Sequence, residues 1–417
     1  MSAKGRLELS GIDTHGLATA MAKSSPYLIV DVGSADRFLH AHVPTSVFME
    51  PDQAAQSVDR WVEAADSVAV VVCDDGDGAA ENVAGQLRMR GFQNTRWLKG
   101  GFPAWMTDGR PTVIGWMPIA HGLGTTLLTE SCAAIVTPAE LEGLVAASKT
   151  LVIDVRTADE HVRSTIPGAH NIPVGELAAA ADDLRHLPVD RIVVHCAGRT
   201  RGAAAGALLC DLGLRNVAIL DGGTAAWVKD GRPLVEGQGP PRKLGMPAGA
   251  YAGTRGPEDV HRLRVLYETK TISAGSFAKR LAARKSQPIY AIDVRQRTEY
   301  EVGHVPGSIW RPAGEVAPSV DDLVPVRNAA VVFVSTHGVR ATVADLYYRR
   351  IGGFESLVLK GGMDAWQSLG LPVERGLSPE RPATLREREG ARIRAQMQRQ
   401  DEDASAGVKG GLGKAGA

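Results

Sequence analysis

The chain lacks three things that would have settled its class at once. It has no surplus of either charge: Lys plus Arg and Asp plus Glu both number 47 in 417 residues, which removes the basic excess expected of a nucleic-acid binder. It has only four cysteines, Cys73, Cys132, Cys196 and Cys210, without regular spacing. That pattern predicts neither a disulfide framework nor a zinc site, and it suits a reducing cytoplasm, where a reactive thiolate is easily kept. It has no apolar run long enough to cross a bilayer, and Met1 to Glu8 lacks the apolar core of a signal peptide. A cytoplasmic protein with neither a membrane nor a nucleic-acid partner is the expectation.

What the chain does have is a threefold repeat. An Asp-Val pair closes an apolar run at Ile29-Val30-Asp31-Val32, at Val152-Ile153-Asp154-Val155 and at Ala291-Ile292-Asp293-Val294. Thirteen residues after each Asp stands a proline, Pro44, Pro167 and Pro306. Each copy closes with a Gly-Gly pair and a Trp four positions on: Gly101 with Trp105, Gly223 with Trp227, Gly362 with Trp366. A unit of about a hundred residues, repeated, fills most of the chain. Short buried runs such as Val68 to Val72, Ile192 to Val194 and Val331 to Val334 alternate with helical patterns. Such alternation predicts an α/β fold, each unit a parallel sheet with helices on both faces and ligands at the carboxyl ends of the strands. The units are expected at 8–113, 134–236 and 270–376, followed by a charged, disordered tail at 377–417.

The glycine pairs also set a register. Twenty-six residues before Gly222 is Cys196; the same count before Gly361 gives Ser335, and before Gly100 gives Asp74. Only the middle unit places a thiol there. Cys73 falls one place early, opposite His195, and because strand side chains alternate it should face the core. Cys196 ends a buried strand and opens the loop Ala197, Gly198, Arg199, Thr200, Arg201, Gly202 before an alanine-rich helix. Unpaired N–H groups at a helix start favour negative charge, so this sulfur should ionise more easily than a free cysteine.

The Asp-Val-Arg turn, the His/Thr-Ile/Val-Pro-Gly step, the Cys loop before a helix and the Gly-Gly-x-x-x-Trp ending resemble rhodanese domains in tandem. The match covers most of residues 8 to 376. The resemblance implies sulfur transfer through a persulfide on Cys196, with no cofactor and no metal. The thiolate attacks the outer sulfur of an anionic donor such as thiosulfate, and cyanide or a thiol, a protein's among them, accepts it. Arg199 and Arg201 are the expected clamp for the donor's oxyanion, since guanidinium forks match such groups. The amides of Ala197, Gly198, Thr200 and Gly202 are expected to form a nest around the sulfur. Two basic side chains favour thiosulfate over mercaptopyruvate, whose typical loop is small and uncharged. A persulfide relay or redox-sensing module fed by a protein donor is the alternative. Phosphatases and arsenate reductases of the same fold place five residues between Cys and Arg; here four precede Arg201, and no loop Asp is placed as a leaving-group acid.

Other residues read as architecture. Asp154 with Arg156, and Asp293 with Arg295, fit ion pairs that shape the pocket rather than catalysts. His195 reads as a satisfied core histidine. Trp105, Trp227 and Trp366 recur whether or not a thiol is present, so they read as core. Cys210, amid Leu208, Leu209 and Leu212, reads as a buried inert thiol. The first loop, Asp74-Asp75-Gly76-Asp77-Gly78, is too acidic for thiosulfate, and Ser335 in the third is a poor nucleophile, His337 being badly placed to act as its base. The connector 114–133 should lie along domain surfaces. The connector 237–270 should end in a helix from Pro257 to Lys270 that docks the third unit on the second. Arg242, Lys243 and Arg255 in it read as solvated linker.

Overall fold

Three all-parallel sheets carry the chain in the computed structural model, which describes residues 10–58, 61–62, 67–116, 118–147, 149–237, 257–350 and 355–377. The tail beyond 377 and Arg242, Lys243 and Arg255 lie outside the described residues. The middle sheet runs Ala134–Val136, Val217–Leu220, Arg191–His195, Thr150–Asp154, His170–Asn171. The third runs Thr271–Ile272, Ser356–Leu359, Ala330–Val334, Ile289–Asp293, Ile309–Trp310 in the same order. The first has four strands, Val47–Phe48, Tyr27–Asp31, Ala69–Cys73, Thr95–Trp97, and at its fifth place a single parallel bridge from Ile12 to Leu98. The strand that ends in the repeated Asp is continuously apolar in every unit. Leu28 to Asp31, Leu151 to Asp154 and Tyr290 to Asp293 are all buried, as expected of parallel strands covered on both faces.

The register agrees with the glycine count. Asp31 pairs with Cys73, Asp154 with His195 and Asp293 with Val334. Cys73 therefore stands where His195 does, buried against Leu17, Ile29 and Trp105, and burial pushes its thiol pKa well above the usual value. The ruler has a physical cause. Gly101, Gly223 and Gly362 have φ of +59°, +54° and +58°, and a Cβ on Gly223 would come within 2.1 Å of the Cys196 carbonyl oxygen. The backbone contact thus made is the same in each unit: Phe102, Thr224 and Met363 donate N–H bonds of 2.8, 2.8 and 2.9 Å to the carbonyls of Asp74, Cys196 and Ser335. The tryptophans are core, and each indole N–H is also satisfied, by the carbonyls of Pro111, Pro233 and Pro372.

Spatial order differs from chain order, because the third unit packs against both others. One core joins Leu28, Val30 and Trp61 to Tyr290, Ile292 and Phe333; another joins Leu177 and Leu208 to Val343 and Tyr347. The connector helix Pro118–Glu130 does more than lie on a surface. Leu123 and Leu127 are buried, Asp321 of the third unit caps its Ile119 and Ala120 amides at 3.1 Å, and its Ala120 carbonyl accepts from Thr200 Oγ1 at 3.2 Å. The second connector's helix ends at Leu266, short of Lys270, followed by Glu268 at φ +48°. Buried Tyr267 then donates to Asp211 of the second unit at 3.2 Å, and its carbonyl accepts from Arg349 of the third, so the connector ties the two together.

One expectation is overturned. Cys210 is not an inert thiol: it forms a disulfide with Cys132, 78 residues earlier, with a Cα–Cα separation of 5.9 Å. The connector folds back along the helix Thr200–Asp211, close enough that a Cβ on Gly206 would lie 3.3 Å from Ala133 Cβ. No sequence spacing signals such a pairing, because it depends on where the connector lands.

Candidate functional site

Cys196 follows the strand Arg191–His195, and the helix Thr200–Asp211 begins just after it. That helix's ladder opens with Ala203 N–H to the Arg199 carbonyl at 2.9 Å, so the amides of Thr200, Arg201 and Gly202 have no acceptor within the helix. The sulfur faces this turn: a Cβ built on Gly202 would be 3.7 Å from Cys196 Sγ. The side chain is 2% exposed, at the floor of the loop rather than on the surface. His195 points into the core, where burial lowers its pKa to about 4. It is only half satisfied: Nδ1 lies 3.5 Å from the Cys196 carbonyl, and Nε2 is buried without a partner.

The sibling loops show what the frame does with other side chains. In the first, Asp74 is buried, and its two carboxylate oxygens accept from Gly76 N–H at 2.9 Å and Ala80 N–H at 2.8 Å. Ala80 occupies the place of Gly202. The acidic loop is therefore already closed around an anion of its own. In the third, Ser335 Oγ accepts from Gly338 N–H at 3.0 Å, and His337 turns outward to Asp364 at 3.1 Å, away from the serine.

Neither arginine of the middle loop stands ready as an unpaired clamp. Arg199 is half exposed and lies 3.1 Å from Asp221. Arg201 donates to both oxygens of Glu160, at 2.6 and 2.9 Å, and also to Glu315 of the third unit. Burial pushes the Glu160 pKa up, but Arg201 outweighs it and brings the carboxyl down to about 2. The third unit mirrors the arrangement: Arg340 meets Glu299 at 2.6 Å and, across the same interface, Glu176 at 3.4 Å. Glycines at matching places let the helix starts approach, Gly175 against Ala313 and Gly314 against Val174.

Asp154 is an anchor, as its sequence context suggests. It accepts from Arg156 at 2.7 to 3.2 Å, from Thr165 Oγ1 at 2.8 Å, and meets His161 Nδ1 at 3.1 Å. Burial raises its pKa, but the His161 and Arg156 hydrogen bonds win and hold the carboxyl well below the usual range. Asp293 and Arg295 repeat the fork at 2.6 to 3.1 Å. The first unit has Gly33 in the arginine's place, and Arg37 reaches over it to Asp31 and Asp75; a Cβ on Gly33 would strike Arg37 Nη2 at 2.1 Å. Sequence reasoning missed Glu160, Glu315 and Asp221. A signal existed for the first two: Glu stands six and twenty-two residues after the strand Asp in both the middle and third units, as Glu160 with Glu176 and Glu299 with Glu315.

This geometry defines a class, a strand-loop-helix turn that faces a buried cysteine sulfur in a repeated α/β unit, and the comparisons with known proteins give the family. The rhodanese-like domain family matches residues 14–108, 137–230 and 273–369. The chain belongs to that family, with three such domains in tandem. It is similar to the crystal structure of a thiosulfate sulfurtransferase from Pseudomonas aeruginosa, at TM-score 0.76 and 26% identity over 90% of this chain and 69% of that one. A sulfurtransferase of Allochromatium vinosum is 32% identical over 90 residues, 21% of this chain and 81% of its own length. An HTH-type transcriptional regulator of Mycobacterium tuberculosis is 33% identical over 99 residues, 24% of this chain and 43% of the regulator. Among the described residues no helix is long and apolar enough to cross a membrane.

Proposed function

We propose that the protein is a sulfurtransferase that carries sulfane sulfur as a persulfide on Cys196, taking it from thiosulfate or a similar anionic donor and passing it to cyanide or a thiol. The observation that carries this reading is the register: Cys196 alone among the three matched positions is a thiol, and its Sγ faces the open amide turn of Thr200 to Gly202. The Asp74 carboxylate, bound by amides of the matching turn, supports an anionic sulfur being held there. In the forward step Cys196 Sγ bonds the outer sulfur of thiosulfate, the donor's S–S bond breaks, and its electron pair leaves on sulfite. The acceptor then removes the terminal sulfur and returns the thiolate. Because Cys196 is buried, the donor is admitted by displacement of side chains at the mouth, of which Arg199, half exposed and paired to exposed Asp221, yields most readily.

A persulfide of a partner protein is a second reading of the donor, favoured by one observation: both loop arginines already have carboxylate partners. The phosphatase reading loses support for the same reason, since Arg201 is engaged by Glu160 and Glu315. Incubation with thiosulfate and cyanide should yield thiocyanate, and Cys196→Ser should lower the rate by at least about a thousandfold. Thiocyanate formation at an undiminished rate by Cys196→Ser contradicts the assignment.

A further inference from the structure

A side chain of the third domain, Glu315, reaches Arg201 in the loop of the second. Glu315 stands third in the helix Ala313–Leu323 with its N–H bonded to the Pro312 carbonyl at 2.7 Å, and the neighbouring Gly314 lies against Val174, so the carboxylate is delivered by the packing itself. It shares the Arg201 guanidinium with Glu160. Arg201 is close enough to Cys196 for a thiolate there to favour the arginine's charge, although burial opposes it and Glu315 and Glu160 contribute more. The three side chains remain partly open to solvent, 11%, 23% and 19% for Arg201, Glu160 and Glu315, so they stand at the mouth of the loop. Arg156, which also acts on Glu160, is balanced by its own Asp154, so two arginines, 199 and 201, against three carboxylates, Asp221, Glu160 and Glu315, leave one net negative charge there. A doubly charged donor approaching a thiolate meets twice the repulsion from that surplus that a singly charged one does.

Resting on the sulfur-transfer reading above, we infer that Glu315 is a specificity-determining residue supplied by the third domain: by sharing Arg201 at the mouth, it makes the Cys196 loop favour singly charged sulfane donors, persulfide or thiosulfonate anions, over dianions. With a persulfide donor, Cys196 Sγ bonds the outer sulfur, the donor's S–S bond breaks and its electron pair leaves on the thiolate released. One negative charge enters and one departs, and no oxidant is required. The mirror pair of Glu176 and Arg340 uses the same interface but surrounds a serine, so it supplies a control for packing without touching the thiol's loop.

Thiosulfate and methanethiosulfonate make a matched test, since both donate an outer sulfur and differ by one charge. In Glu315→Gln, kcat/KM should rise about tenfold with thiosulfate and about threefold with methanethiosulfonate. The change should reside mainly in KM and shrink at high salt. Glu315→Asp should retain the wild-type donor ratio, and so should Glu176→Gln. An equal change with both donors, a loss with both, or a ratio shifted as far by Glu176→Gln overturns the inference while leaving sulfur transfer intact. If neither donor places a sulfur on Cys196 in any form of the protein, the sulfur-transfer reading itself has failed.

Discussion

The loops of the first and middle domains share one frame and differ in what their first residue makes of it. In the middle domain a sulfur faces an amide turn with Gly202 beside it; in the first, Asp74 fills the turn with its own carboxylate, with Ala80 at the matching place. The third has Ser335 and Ala341 at these places. The copy with the thiol is thus the one with glycine at the sixth position past the loop's first residue. The comparison teaches that one or two side chains decide whether the turn faces a sulfur or is closed by a carboxylate, with the strand, turn and Gly-Gly contact unchanged.

Transplanting the two residues breaks the comparison most sharply. Ser335→Cys with Ala341→Gly should give the third domain a loop that takes up sulfur, so that thiosulfate adds two sulfur atoms to the chain instead of one; mass spectrometry of the intact protein reads this directly. A single addition would mean that the frame needs more than those positions. Next in size is Asp74→Ala, which takes the acceptor from the exposed Gly76 amide and from the buried Ala80 amide and should cost about 1–3 kcal/mol of first-domain stability, seen in denaturant titration, with Cys196 turnover unchanged. Smallest is Gly202→Ala. Its Cβ would lie 3.7 Å from Sγ, in ordinary contact with the thiol, and is expected to crowd an outer sulfur added there. We expect kcat/KM to fall about tenfold while unfolding free energy rises by up to about 1 kcal/mol, since alanine is the better helix former. Activity and stability moving the same way would contradict that account.

Much of the frame was legible in the sequence because backbone contact enforces it. Gly223 touches the Cys196 carbonyl, so the count between them cannot drift, and the period of two then sends Cys73 inward. Asp154 with Arg156 was readable as an ion pair for the same local reason. The partners of Arg201 were harder to see, since Glu315 comes from another domain and only its repeated offset from the strand aspartate marks it. The disulfide of Cys132 and Cys210 was illegible: it depends on the connector helix wedging between domains, which no local pattern states. His195 was correctly placed in the core, but its unpartnered Nε2 is a property of the packed interior, not of the strand.

The most direct test is the intact mass of the protein after thiosulfate treatment, followed by mapping of the modified peptide. The account predicts one added sulfur atom, on Cys196, removed by cyanide and absent in Cys196→Ser. An unmodified Cys196, or sulfur found instead on Cys73, would contradict it.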